Sequence, residues 1–328
     1  MARRITLKEV AKTAGVSLAS ASYAVNRTGS LGEELRQHIL RVAEELGYRQ
    51  NMSARATRTG RTGTIGLVLP DLTNPFFPHL AQSVVQRARA HGYSVFVTDT
   101  EGVEDLEREA LRVLAERGVD GLVWFPIRDV NTAEAETSDI PTIVVDRTLP
   151  RLESVQADYA NGGRAAIRHL LDLGHRRIGI VCGPTDIASM RDRCDAAAAL
   201  VRAEGELVFM VENSFSIDLD GSVTRALDQN GATAVFAGAD IIALGIMRHL
   251  QAQGSVIPGD ISVVGFDDIP WAQMSTPTLT TIEMPIEDMA SEAVEAVIRR
   301  IEGSADLRRR VILDTALVVR GSTGPVPH

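Results

Sequence analysis

ITLKEVAKTAGVSLASASYAVN, residues 5–26, carries two short helical patterns on either side of one glycine. Thr6 followed three residues later by Glu9 is a capping box, and it opens a helix to about Thr13 with Ile5, Leu7, Val10 and Ala11 as a narrow apolar stripe. Gly15 breaks that pattern. Ser17 can cap a second helix from Leu18 to about Val25, and three or four residues between two helices is helix-turn-helix spacing. On this second helix Val16, Ala21 and Val25 fit the buried face, leaving Leu18 and Tyr23 outward. A third helix, Glu33 to Leu46, places Leu35, Ile39, Val42, Ala43 and Leu46 on one side and stops at Gly47. Residues 1–50 therefore read as an all-α domain with one minimal core.

The charge changes where this domain ends. Residues 1–61 hold eleven Lys and Arg against five Glu, net +6, so the rest of the chain carries −15 of the total −9. A basic head before an acidic body is the electrostatic footprint of a phosphate-binding module, because Lys and Arg release condensed counterions when they neutralise a nucleic acid. Residues 51–63, with TGRTGT at 59–64, read as a short segment that folds only against a partner, followed by a Gly and Thr linker.

Residues 64–328 alternate short apolar strands with amphipathic helices. TIGLVLP (64–70), YSVFVTD (93–99), GVDGLVWFP (118–126) and IPTIVVD (140–146) form one series. RRIGIVCG (176–183), ELVFMV (206–211), ATAVFAG (232–238) and DISVVGFDD (260–268) form a second. Such alternation implies parallel sheets, so the fold class is α/β: a helical head plus two lobes, with a boundary near Ala157 to Leu173. LTTIEMP (279–285), a helix, and RRVILDTALVVR (309–320) suggest crossing segments and a terminal strand pair. Ligands of such sheets bind outside the carboxyl ends of the strands, in the cleft between lobes.

Several classes are disfavoured. At 328 residues and ~100–200 per domain the chain holds about two domains, with no run of the ~18 apolar residues that spans a bilayer. MARRITLKEVAK has charge without an apolar stretch behind it, so a cytoplasmic location without membrane partners is expected. Cys182 and Cys194 are too few for a disulfide framework or a four-ligand zinc site, and no metal or cofactor is expected. No G-x-S-x-G, H-E-x-x-H or phosphate-loop motif occurs, and Gly60, Gly63 and Gly66 have the wrong spacing for a dinucleotide loop, so an enzyme is not expected. A transport-type solute-binding protein would share the lobes but need an export signal and no basic head.

ITLKEVAKTAGVSLASASYAVN, ELGYRQNMSARAT (45–57), IGLVLPDLTNPFF (65–77), GHRRIGIVCG (174–183), TAVFAGADIIALG (233–245), ISVVGFDDIP (261–270) and TPTLTTIEMP (276–285) together resemble the LacI/GalR family of bacterial transcriptional regulators. The resemblance runs from about Ile5 to Arg320. It implies a helix-turn-helix head, a hinge helix that forms on DNA, and a periplasmic-binding-protein-like core that dimerises and binds an effector. The expected protein is a repressor that binds a palindromic operator as a homodimer, under control of a small molecule, a sugar, in the interlobe cleft.

Site residues follow position by position. The resemblance puts Ser20, Ser22 and Asn26 on phosphates and Leu18, Ala19 and Tyr23 against base edges, with Thr6 and Ser17 at the two helix starts. Leu18 and Ala19 donate no side-chain hydrogen bond, so they suit thymine methyl groups. In the hinge the family wedges a leucine into the central minor-groove step two residues after an Ala-Arg pair; here Thr57 follows Ala54 and Arg55. A shorter, polar wedge should bend DNA less, with Arg55 and Arg58 still on phosphates. Gln50 and Gly32 replace a usual proline and capping serine. In the cleft the resemblance selects Asp71, Phe77, Asp146, Arg147, Arg193, Phe215 and Asp267; Phe76 fits either core or cleft, Trp124 is a weaker addition because a strand tryptophan more often packs in the core, and Asp240 stands at a position where Ala239 replaces the usual asparagine. Carboxylates and guanidinium groups bridging hydroxyls, with an aromatic face for the ring, suit a sugar, while a purine needs similar stacking with different polar partners, and this sequence offers both kinds; a sugar is the first expectation. Asn74 is expected to fix its loop, and Asp158, Asn161 and Gly162 to cap a helix.

Overall fold

The computed structural model describes residues 5–26, 29–48, 60–129, 136–137, 139–229, 231–304 and 309–326. The chain divides into two compact units, 1–62 and 63–328. In the first, α1 (Leu7–Thr13), α2 (Leu18–Asn26) and α3 (Glu33–Glu45) pack around Val10, Ala11, Ala21, Ala24, Ile39, Val42 and Ala43. Small residues in the middle of α2 let its backbone sit close to its neighbours. The buried face differs from the sequence expectation in two places. Ala24, not Val25, is buried on α2, and Leu35 is exposed because the apolar stripe of α3 reaches the core only from Ile39 onward. The hinge residues Ala54, Arg55, Thr57 and Arg58, with Gln50, lie outside the described residues.

The second unit contains two parallel sheets. Lobe 1 has the strand order β11-β5-β4-β3-β1-β2, from β1 (Thr64–Leu69), β2 (Ser94–Asp99), β3 (Gly121–Trp124), β4 (Thr142–Val145), β5 (Glu153–Ala157) and β11 (Arg310–Leu313). Helices α4 (Phe76–Ala90), α5 (Glu104–Glu116) and α10 (Ile286–Ile301) cover it. Lobe 2 has the order β7-β6-β8-β9, from β6 (Arg177–Cys182), β7 (Glu206–Glu212), β8 (Ala234–Ala237) and β9 (Ser262–Val264). Its helices are α6 (Tyr159–Asp172), α7 (Ala188–Glu204), α8 (Gly221–Gln229) and α9 (Asp240–Ala252).

Among the described residues the chain crosses between lobes three times: from β5 into α6, from β10 (Thr281–Glu283) into α10, and from β11 into β12 (Ala316–Val318). The last crossing corrects the expected terminal strand pair. β11 extends the lobe 1 sheet beside β5, whereas β12 pairs antiparallel with β10. Strand β5 is fully buried although Glu153, Ser154 and Gln156 are polar, because β4 and β11 flank it and its side chains find partners. Glu153 accepts from Arg300 at 3.1 Å, and Gln156 accepts from Arg310 at 2.6 Å.

Candidate functional site

In the head, the capping box forms as read. The Thr6 hydroxyl donates to Glu9 at 2.9 Å, and the Glu9 amide reaches that hydroxyl at 3.4 Å. Ser17 accepts the Ser20 amide at 3.0 Å, satisfying one of the free N–H groups at the start of α2. Because α2 buries only Ala21 and Ala24, its other side presents Leu18 (53% exposed), Ala19 and Tyr23 (46%) to solvent. The Tyr23 ring rests against Gly29, whose φ is +68° and where a Cβ would lie 2.9 Å from the ring. Arg36 fixes this corner by donating to the carbonyls of Tyr23 at 3.3 Å and Gly29 at 3.4 Å. At the other end of α2 the Asn26 amide donates to the Ser22 carbonyl (2.7 Å) and hydroxyl (3.1 Å), joining two predicted phosphate contacts into one pair.

In the body, a cleft of about 720 Å³ opens at the carboxyl ends of the strands of both lobes. It brings together Asp71, Phe76, Phe77, Asp146, Arg147, Arg193, Phe215 and Asp267. Lobe 1 supplies an aromatic wall. Phe76, Phe77 and Phe125 meet edge to face, Phe77 and Phe125 at 4.9 Å between centroids, and the Arg147 guanidinium lies 5.1 Å from the Phe125 ring. Asp71 does not reach across the cleft in this conformation: its carboxylate accepts the Thr73 amide (2.7 Å) and hydroxyl (2.6 Å). Asn74 accepts the Phe76 amide at 3.2 Å and so holds its loop.

The floor is charged and buried. Asp146, with φ at +70°, pairs with Arg147 and accepts from the Tyr159 hydroxyl and from Ser189 at 3.0 Å. Ser189 in turn accepts from Arg147 at 3.1 Å. Burial pushes the Arg147 guanidinium down to about 10 and the Tyr159 hydroxyl up to about 12. Arg147 Nε is buried and has no hydrogen-bond partner. Arg193 donates to the Gly238 carbonyl at 2.7 Å and to Asp267 at 3.1 Å, between the rings of Phe266 (3.9 Å) and Tyr159 (4.9 Å). Helices α6 and α7 pack closely enough to place it there because residue 163 is glycine: a Cβ would sit 2.1 Å from the Arg193 carbonyl oxygen. Asp267 has φ at +120°, and burial pushes its carboxyl up to about 6 against the opposing pull of Arg193.

Trp124 and Asp240 lie outside the cleft. Strand alternation turns Trp124 to the opposite side of β3, where it is fully buried and donates to Glu107 at 3.0 Å; the next residue, Phe125, faces the cleft. Asp240 is fully buried at the start of α9, accepting the Thr281 hydroxyl at 2.5 Å and the Ile269 amide at 2.9 Å. It ties β10 to lobe 2. Sequence reasoning missed Phe125, Tyr159 and Ser189. Parity along β3 could have found Phe125, whereas Tyr159 and Ser189 enter only through the lobe crossing and the position of α7.

Asp158 caps α6, accepting the Asn161 amide at 2.9 Å. Among the described residues no helix is long and apolar enough to cross a membrane, and no group of three His, Cys, Asp or Glu is arranged to hold a metal ion.

Residues 6–51 match the family of bacterial regulatory proteins of the lacI type, and residues 167–323 match a periplasmic binding protein-like domain. The chain is 34% identical to the ribose operon repressor of Halalkalibacterium halodurans over 97% of each chain. It overlays the lac repressor dimer bound to operator and the anti-inducer ONPF with a TM-score of 0.86, at 26% identity over 98% of this chain and 100% of that one. A LacI family regulator from Enterococcus faecium with bound ribose gives 0.71 at 28% identity, over 80% of this chain and 99% of that one. The protein belongs to the LacI family of transcriptional regulators, with a helix-turn-helix DNA-binding domain and a periplasmic-binding-protein-like domain.

Proposed function

We propose that this protein is a repressor that binds a palindromic operator as a homodimer and is controlled by a sugar in the interlobe cleft. The observation that carries the ligand reading is the buried set Asp146, Arg147, Arg193 and Asp267 beside the wall of Phe76, Phe77 and Phe125. Buried charged donors and acceptors beside aromatic faces suit vicinal hydroxyls and a sugar ring. One relative, the ribose operon repressor, and one solved neighbour, which holds ribose, support the same reading.

DNA recognition rests on the outward face of α2. Leu18 and Ala19 suit thymine methyl groups, Tyr23 adds a hydroxyl, Ser20, Ser22 and Asn26 suit phosphates with Thr6 and Ser17 at the two helix starts, and in the hinge Arg55 and Arg58 suit phosphates while Thr57 takes the minor-groove wedge position. A two-fold dimer reads a two-fold site. Effector binding changes operator affinity by as much as its affinity differs between the two lobe arrangements. Residues 1–50 act as the DNA-binding domain, 51–63 as hinge and linker, and 64–328 as the effector and dimerisation domain.

Selection of random duplex DNA by the full-length protein at near-physiological salt, with and without D-ribose, tests this. A palindrome with thymines opposite Leu18, enriched in one ligand condition only, is the expected result. Enrichment that ignores D-ribose and other aldoses would remove the sugar assignment and leave the DNA reading standing.

A further inference from the structure

We propose that Asp129, with Arg128 beside it, is an interlobe clasp that sets how tightly the cleft holds its ligand. This rests on the reading of the cleft as the effector site. Helix α7 begins without a cap of its own: Ile187 stands at the N-cap position and has no side-chain acceptor. The acceptor comes from the opposite lobe. Asp129, in the loop after β3, takes the Ala188 amide at 2.6 Å. Arg191, in the first turn of α7, approaches the same carboxylate oxygen at 3.9 Å. Arg128 pairs with Glu104 of lobe 1 at 2.6 Å and with Asp186 of lobe 2.

The bonds of Asp129 to Ala188 and Arg191 and of Arg128 to Asp186 span the two lobes, so any opening of the cleft breaks them. Their place gives them a second effect. The helix that Asp129 grips carries Ser189 and Arg193, two of the lobe 2 side chains on the cleft floor. Asp129 thus positions ligand-facing groups of one lobe from the other. The two members differ in weight. The Asp129 side chain is only 20% exposed and meets a helix N-terminus, where a capping carboxylate is most effective, whereas Arg128 and Asp186 are about half exposed and screened by water.

The test uses full-length wild type and the variants Asp129→Ala, Asp129→Asn and Arg128→Ala. Small-angle scattering of the ligand-free proteins at low and high salt reads lobe opening, and calorimetry reads D-ribose binding. Asp129→Ala should enlarge the radius of gyration and weaken D-ribose binding about three- to tenfold. Asp129→Asn keeps an acceptor for the Ala188 amide without the charge and should fall between wild type and Asp129→Ala, and Arg128→Ala should have the smallest effect. High salt should open wild type more than Asp129→Ala. Scattering from Asp129→Ala that matches wild type at both salts would overturn the clasp, whatever D-ribose does. If wild type binds no D-ribose but Asp129→Ala still opens, the clasp stands and the ligand assignment fails.

Discussion

Helix α2 of the head and the cleft floor of the body treat their surfaces in opposite ways. Helix α2 hides alanines and exposes Leu18 and Tyr23, whereas the cleft hides Arg147, Arg193, Asp146 and Asp267, each no more than 9% exposed. One exposed leucine is ordinary, since folded proteins cannot cover all their apolar surface. Here it shares the face of a capped helix with a tyrosine held by Gly29 and Arg36. A buried charge is the stronger statement, because each ion removed from water costs several kcal/mol unless its partners are well placed. The contrast separates two kinds of recognition. The head offers a preformed shape to a polymer that brings its own charge, and the body keeps a polar network ready for a small ligand to enter.

The largest effect should come from breaking the buried network. Arg193→Ala leaves Asp267 without its counter-charge and should cost ~3–5 kcal/mol at pH 7.5 in urea unfolding, together with the ligand response. The loss should shrink at pH 5. Burial already holds the Asp267 carboxyl at about 6, and without Arg193 it moves higher, so at pH 5 it is neutral and needs no partner. The sign follows from linkage: the unfolded carboxyl ionises near ~3.9, so rising pH favours the unfolded chain through the window up to the folded value. An equal loss at both pH values would mean that packing of the guanidinium between its two rings, not charge, holds the floor together.

The head should respond differently. Leu18→Ala should lower operator affinity by ~1–3 kcal/mol and relax the base preference opposite it, with stability changed by less than ~0.5 kcal/mol because the side chain is exposed. A measurable drop in melting temperature would assign Leu18 to packing instead. The smallest effect belongs to Ser17→Ala, which removes the acceptor for the Ser20 amide. Its expected cost is ~1 kcal/mol in head stability, read by thermal unfolding followed by circular dichroism. A Thr57→Leu variant sharpens the DNA side, since a longer apolar wedge should increase the kink seen in circular-permutation gels.

Much of the architecture was legible because its signals are local. The capping box at Thr6 and Glu9, the serine cap at Ser17 and the apolar runs of the parallel strands each depend on residues close in sequence. Strand β5 was not legible, because Glu153 and Gln156 look exposed until Arg300 and Arg310 arrive from the far end of the chain. The cleft was legible in its carboxylates and arginines, which resemble a known pattern. It was misread at Trp124, where one step of strand parity decides between core and cleft, and at Asp240, whose partners Thr281 and Ile269 lie about thirty to forty residues away.

By itself, then, the sequence determined the helical head, the alternation that makes two parallel sheets, the charge division between head and body, and the residue types a polar ligand needs. Those properties are carried by periodicity, capping and composition, which act within a turn or a strand. Only the tertiary structure decided that β11 joins the lobe 1 sheet while β12 pairs with β10, that Tyr159 and Ser189 close the network around Asp146, and that Asp129 caps a helix of the opposite lobe. Each is a pairing between segments far apart in the chain, and such a pairing has no local signal: it is set by which buried polar group finds its partner when distant segments meet.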